Sequence, residues 1–242
     1  MKFAPITIIY LLVFITSNAQ KIELKPEAGF GLVFYNFTSD SLIPPNRTNA
    51  FSVGSTGFVN IRINLQTADY RWLFTTGAGI TTNRTVLREN NGFDRFFDQF
   101  LFFYGSGGDL PIKNILIKYQ NINLPIGVAY NLNKKNPGKF QCYFGADVIL
   151  QFNIGKQVRL HSPSYNYSDS ERKRISEDYR QRVEPFVVML MPKFEFRTSI
   201  HKNIRHAFIF SPVSLYSKSQ LRELTTNTIS MNMAYAVSFQ LK

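Results

Sequence analysis

Acid–base or nucleophilic chemistry on this chain would have to begin with three histidines, His161, His201 and His206. Only His161 has suitable company. Ser162 follows it directly, and Asp169 and Glu171 come within the same connecting segment. A histidine that draws the proton from a serine hydroxyl, steadied by a carboxylate, is the minimal equipment for acyl transfer. His201 and His206 fall at a short turn and have no such neighbours. HExxH, Walker, GxSxG and CxxC patterns do not occur. The expectation is therefore no enzyme activity, no cofactor and no metal. Cys142, the sole cysteine, excludes an intramolecular disulfide and a thiolate cluster, and its place in the pattern makes it a small apolar filler.

A second set of residues is richer. Glu23, Lys25, Glu27, Arg62, Arg71, Asp147, Lys193, Glu195 and Arg197 sit at alternate positions inside otherwise apolar segments. Side chains of a strand switch faces at each residue, so alternation gathers these charges on one side. Charges of both signs enclosed together can pair with one another and with neighbouring Asn and Gln. Such a set reads as a structural plug. Proton or ion conduction would need a wider channel.

Strands are the elements that would position them. From Thr228 to Lys242 the alternation is unbroken: Ile229, Met231, Met233, Tyr235, Val237, Phe239 and Leu241 against Thr228, Ser230, Asn232, Ala234, Ala236, Ser238 and Gln240. That exceeds the roughly 5–6 residues of most soluble strands and suits the roughly 9–11 of a tilted transmembrane strand. Seven further strands are read at 22–37, 51–66, 71–83, 116–131, 140–154, 183–198 and 207–216. Pro212 marks a bulge in the last of these. Connections alternate between short (67–70, 132–139, 199–205) and long (39–50, 84–115, 155–182, 217–227).

The start of the chain reads as a secretory leader. Lys2 precedes an apolar run centred on Ile8 to Ile15, and Ser17-Asn18-Ala19 fits a small-x-small cleavage site. The expected division is a leader over 1–19 and one barrel domain over 20–242. The formal charge of +12 falls to +11 when Lys2 leaves with the leader. Export argues against nucleic acid as the partner of this positive charge, and points to lipid head groups, lipopolysaccharide phosphates or acidic glycans.

These patterns together predict an all-β fold, an eight-stranded antiparallel up-and-down transmembrane β-barrel. Short turns and both termini would face the periplasm and long loops the outside. The last strand's second face lacks charge, a poor soluble exterior but a suitable lumen. The opposite face is too bulky for the interior of a small barrel, and lipid can accommodate it. Trp72, Tyr130, Phe196 and Phe239 near the short turns, with Phe51, Phe152 and Tyr216 near the long loops, are arranged as two aromatic girdles.

Two long connections hold candidate contact surfaces. Phe93, Phe96, Phe97 and Phe100 have helical spacing, with Asp94, Arg95, Asp98 and Gln99 opposite them. This predicts a short amphipathic helix before a Gly-rich turn over 105–108, closing the barrel mouth or meeting a partner. The connection after the fifth strand carries Lys156, Arg159, Arg172, Lys173, Arg174, Arg180 and Arg182 against Glu171, Glu177 and Asp178. It reads as a solvated charged loop, or as a dock for lipopolysaccharide phosphates, which arginine's forked donors suit.

The run Tyr119-Gln120-Asn121-Ile122-Asn123-Leu124-Pro125-Ile126-Gly127 resembles the PorT-like family of small outer-membrane barrels. The leader ending Ala19-Gln20 and the terminal strand ending Phe239-Gln240-Leu241-Lys242 are similar to it too. The resemblance implies an eight-stranded outer-membrane barrel, and some members are linked to secretion or gliding machinery. The expected role is structural or interactive in the cell outer membrane, among lipid, lipopolysaccharide and envelope or secretion proteins. A secretion-apparatus component, a lipid A deacylase or acyltransferase using His161, and a soluble ligand-carrying barrel are the alternatives.

Overall fold

The computed structural model describes residues 19–37, 51–88, 102–105, 109–112, 114–133, 140–161, 168–201, 203–222 and 225–241. The expected leader before Ala19 and the Phe93–Phe100 motif lie outside them. Alternating segments become long strands: β1 (Ala19–Phe37), β2 (Phe51–Thr67), β3 (Trp72–Arg88), β6 (Asn114–Asn131), β7 (Phe140–His161), β8 (Phe186–His201), β9 (Ile204–Tyr216) and β10 (Thr225–Leu241). Two short strands, β4 (Phe102–Gly105) and β5 (Asp109–Ile112), pair antiparallel as a separate sheet, and residues 106–108 of the expected Gly-rich turn lie outside the described residues.

Each long strand pairs antiparallel with its two neighbours, in the order β1-β10-β9-β8-β7-β6-β3-β2. β1 bonds to both β2 and β10, so the ring closes. Closure leaves no edge strand with unpaired amides, the condition for a sheet to stand in hydrocarbon. The short turns between β2 and β3, β6 and β7, and β8 and β9 share one end with both termini of the described chain. The long connections share the other.

The two faces separate as the alternation requires. In β2, Val59 and Ile61 are 62% and 59% exposed, while Asn60 and Arg62, alternating with them, are 3% and 1% exposed. Thirty large apolar side chains of the described residues are exposed, all but Leu132 on the strands of this wall. Complete exposure of such a side chain to water forfeits roughly 1.5–3 kcal/mol, and these are about half exposed. Summed over the wall, that far exceeds the roughly 5–15 kcal/mol that holds a domain folded. Lipid is the solvent that removes the penalty, and the soluble reading fails on this point. Trp72 and Tyr130 meet edge to face at 5.0 Å, and Phe152 and Phe186 tilt together at 4.9 Å, as girdle pairs.

Three expectations change. Tyr216 is not a girdle residue. The register shifts between β9 and β10 around Pro212, and this turns Tyr216 inward, where its hydroxyl meets Ser230 Oγ at 3.2 Å. β7 does not stop at Ile154; a shift opposite Gln120 and Asn121 carries it on to His161. The charged segment after it is ordered as helix α1 (Asp169–Gln181). Ser168 and Glu171 form a capping box, each side chain bonding the other's backbone amide. Ile175 and Tyr179 are buried against the barrel, which supplies the apolar contact a short helix needs.

Small residues make room where the lumen is fullest. A Cβ on Gly145 would lie 2.2 Å from Val128 O and 2.5 Å from Ala129 Cα, both backbone atoms that cannot turn aside. Gly57 has open space around the same position. Gly145→Ala is expected to cost about 1–3 kcal/mol in urea unfolding of the reconstituted barrel, and Gly57→Ala to be neutral or slightly stabilising.

Candidate functional site

The lumen is where the sequence concentrates polar chemistry. Lys25 and Glu27 come from β1, Arg62 from β2, Asp147 from β7, and Lys193 and Glu195 from β8. In the strand order, β1 stands directly across the ring from β7, and β2 across from β8. The six side chains span that gap as a closed circuit of alternating sign. Lys25 Nζ donates to Glu195 at 3.0 Å and lies 3.8 Å from Glu27. Arg62 Nη2 donates to Glu27 at 2.8 Å, and Nη1 donates to Asp147. Lys193 Nζ reaches Asp147 at 2.6 Å and Glu195 at 4.0 Å. All six side chains are at most 1% exposed. Three cations and three carboxylates cancel, which makes full burial of the set tolerable.

Below this circuit, toward the short turns, a second tier continues it. Arg197 Nε donates to Glu195 at 2.7 Å and its Nη1 to Glu23 at 2.9 Å. Arg205 approaches Glu23 from the other side at 3.0 Å. The Arg197 guanidinium stacks 5.0 Å from the Tyr143 ring, whose hydroxyl accepts from Gln66 Nε2 at 2.6 Å.

Eight of the nine predicted charges therefore meet in the lumen. Arg71 does not. It precedes β3 at the turn, is about half exposed, and lies 3.7 Å from Asp69. The Thr67 hydroxyl and the Arg71 amide hold the Asp69 carboxyl below its ordinary range. Arg205, assigned to a turn from sequence, belongs to the network instead. Its parity with inward Ala207 and Ile209 was the available signal.

Beside and above the circuit, apolar clusters stand among the buried Asn, Thr and Ser of the lumen, which alternation alone did not suggest. Phe58 packs on Ala207, Ile209, Ala234 and Ala236, and Ile149, Met189 and Met191 cluster beside Tyr216. A cavity of about 20 Å³ remains between these groups, Asn60, Asn123 and Arg62. That is space for roughly one water molecule. Higher still, Tyr35 and Tyr119 share a hydrogen bond at 2.8 Å, and Tyr119 donates to Gln220. Gln220 Nε2 also donates to Gln151 at 3.3 Å. A bridge between Val183 and Leu221 closes over this group. Leu221 is fully buried, and Ile175 and Tyr179 of α1 are 2% exposed. The lumen is thus closed by ions below, a mixture of apolar and amide or hydroxyl side chains in the middle, and a hydrogen-bonded cap at the mouth.

The acyl-transfer candidates fall partly outside the described residues. His161 ends β7, its backbone paired with Asn114; its side chain and Ser162 lie outside the described residues. Asp169 and Glu171 open α1, where the Ser168 hydroxyl and amide depress the Glu171 pKa. Arg172, Lys173 and Arg174 occupy the exposed side of the same helix. Among the described residues no three His, Cys, Asp or Glu side chains are grouped to hold a metal.

An oily wall around a salt-filled hollow, closed without an edge, decides the environment. The chain is an integral outer-membrane β-barrel. No protein-family model matches it. No curated protein matches it either. Solved structures similar in outline include Neisserial surface protein A, at 9% identity and a TM-score of 0.40 over 91% of this chain and 97% of that one. The attachment invasion locus protein Ail of Yersinia pestis, in complex with the heparin analogue sucrose octasulfate, gives 8% identity and a TM-score of 0.33, over 90% and 99%. The outer membrane protease OmpT of Escherichia coli gives 6% and 0.37, over 93% and 98%. These likenesses concern the general outline; the pairing and the two faces establish the fold of this barrel.

Proposed function

We propose that this barrel serves the outer membrane as a closed, non-enzymatic structural or interaction protein that acts through its surfaces. The observation that carries this reading is the circuit of Lys25, Glu27, Arg62, Asp147, Lys193 and Glu195, which ties opposite walls together. A passage for solute would have to break several buried ion pairs at once, each costly to separate. The surfaces left to do work are the lipid-facing wall, α1 and the long connections. Outer-leaflet lipid and lipopolysaccharide are the first partners such surfaces meet.

Reconstitution in planar bilayers tests the closed state. The expected record stays at the lipid baseline across applied voltage. Reproducible unitary steps from the wild-type protein would overturn the reading. A finer version places the chain with PorT-like barrels and their secretion or gliding assemblies, supported by the Tyr119–Gly127 run, which forms part of β6. Pull-down from detergent-solubilised envelopes tests it. Recovery of a defined assembly would support that version, and recovery of the barrel alone would remove it.

A further inference from the structure

The outward face of the barrel changes character abruptly near the long-loop end of three adjacent strands. Ile80, Ile122 and Phe152 stand side by side in register on β3, β6 and β7 and continue the oily belt. Two outward positions further up, Arg84 of β3 pairs directly with Lys118 of β6. Lys118 in turn pairs with Gln157 of β7, and Arg159 lies on the next outward position, opposite Leu116. The inward neighbours Asn83, Thr85, Ile117, Tyr119 and Val158 are buried, so the cations project from the wall. Four residues along a strand is roughly 13 Å, which lifts the cations from the row of Ile80, Ile122 and Phe152 toward headgroup height.

Among the described residues of these strands, no outward-facing carboxylate stands beside them. β2, β3 and β6 contain no acidic residue, and the only one in β7, Asp147, faces the lumen. Like charges directly opposite in a sheet repel, with Cβ atoms roughly 5 Å apart, and a diagonal neighbour such as Arg159 is roughly 7–8 Å from Lys118. An anion held between them reverses the sign of that interaction. α1 offers no comparable site, because Asp169, Glu171, Glu177 and Asp178 offset Arg172, Lys173, Arg174 and Arg180.

We propose that Arg84, Lys118 and Arg159 form an outward-facing seat for the phosphate groups of an outer-leaflet glycolipid of the lipid A type, whose acyl chains lie along Ile80, Ile122 and Phe152. The proposal rests on the reading of the wall as lipid-facing. Arginine's two-pronged donors and the lysine ammonium reach a phosphate from three strands. The site is part of the rigid wall, so binding orders no loop.

The full chain is reconstituted in phosphatidylcholine nanodiscs containing either bisphosphorylated lipid A or lipid A stripped of its phosphates. After release into detergent, native mass spectrometry counts the lipid A molecules retained. The wild type is expected to retain the phosphorylated lipid and not the stripped one. In R84Q/K118Q/R159Q, retention should fall roughly tenfold or more, as expected for the loss of three cations at a membrane surface. R172Q/K173Q/R174Q on α1 should retain it as the wild type does. Heat-modifiable mobility on a gel verifies that each variant is folded. If the triple variant does not fold, K118Q, central among the three, takes its place, with a loss of roughly fivefold. Undiminished retention in the folded rim variant, equal retention of both lipids, or loss only in the α1 variant would each overturn the proposal. A wild type that never enters the discs would overturn the lipid-facing wall itself.

Discussion

Arg62→Met is expected to destabilise the barrel by about 3–5 kcal/mol, the usual consequence of removing one partner from a buried ion network. The methionine nearly matches the side chain's length, so packing is largely kept and the missing charge dominates. Arg62 joins two carboxylates with one guanidinium, Nη2 to Glu27 and Nη1 to Asp147. Without it, Glu27 retains only Lys25, at 3.8 Å, as an ion-pair partner among the described residues, and Asp147 retains only Lys193. Neither carboxylate can turn to water, because both side chains are fully buried. Arg62→Lys should fall between the two, since one ammonium cannot hold both carboxylates in the arginine's geometry. Reversible urea unfolding in lipid vesicles, followed by tryptophan fluorescence from Trp72, measures the difference. A loss under about 1 kcal/mol would mean the circuit is incidental to stability, and the closed-lumen reading would lose its main support.

The circuit also explains how far the sequence could be read. A strand states the face of every residue through parity, so Glu23, Lys25, Glu27, Arg62, Asp147, Lys193, Glu195 and Arg197 were recognisable as one set before any coordinates. Parity cannot state height or partner. That Glu27 of β1 meets Arg62 of the adjacent β2, while Lys25 reaches across to Glu195 of β8, follows from register and barrel radius. Parity also fails wherever the register slips. The shift near Pro212 moved Tyr216 inside, and the shift opposite Gln120 carried β7 on to Arg159 and His161. The helix α1 was legible in principle, because Ser168-Asp169-Ser170-Glu171 is a capping box, but a run dense in charge reads first as solvated loop. The rim cations Arg84, Lys118 and Arg159 are scattered in the chain and become a cluster only through pairing.

Ile61→Arg provides the sharpest test of which face meets hydrocarbon, because its neighbour in the chain is the buried Arg62. Ile61 is 59% exposed on the outer wall, in register with Pro26 of β1 and Ala78 of β3. These positions are near the middle of their strands, away from both aromatic girdles. An arginine on the lipid side of a barrel costs about 2–4 kcal/mol at the bilayer midplane and about 0–1 kcal/mol near an interface. Ile61→Arg should therefore destabilise the vesicle-inserted barrel by the larger amount, and Leu241→Arg, at the end of β10, by the smaller. The depth dependence separates lipid from water as the outer solvent. On a soluble barrel both positions are 48–59% exposed, and both substitutions would sit near the neutral range of surface changes, roughly ±0.5 kcal/mol. Equal, small effects at the two sites would reject a hydrocarbon-facing wall. A steep difference would fix the membrane's midplane near Ile61, with Arg84 and its partner Lys118 lying along the wall beyond Ala78, the β3 partner of Ile61, on the side of the long connections.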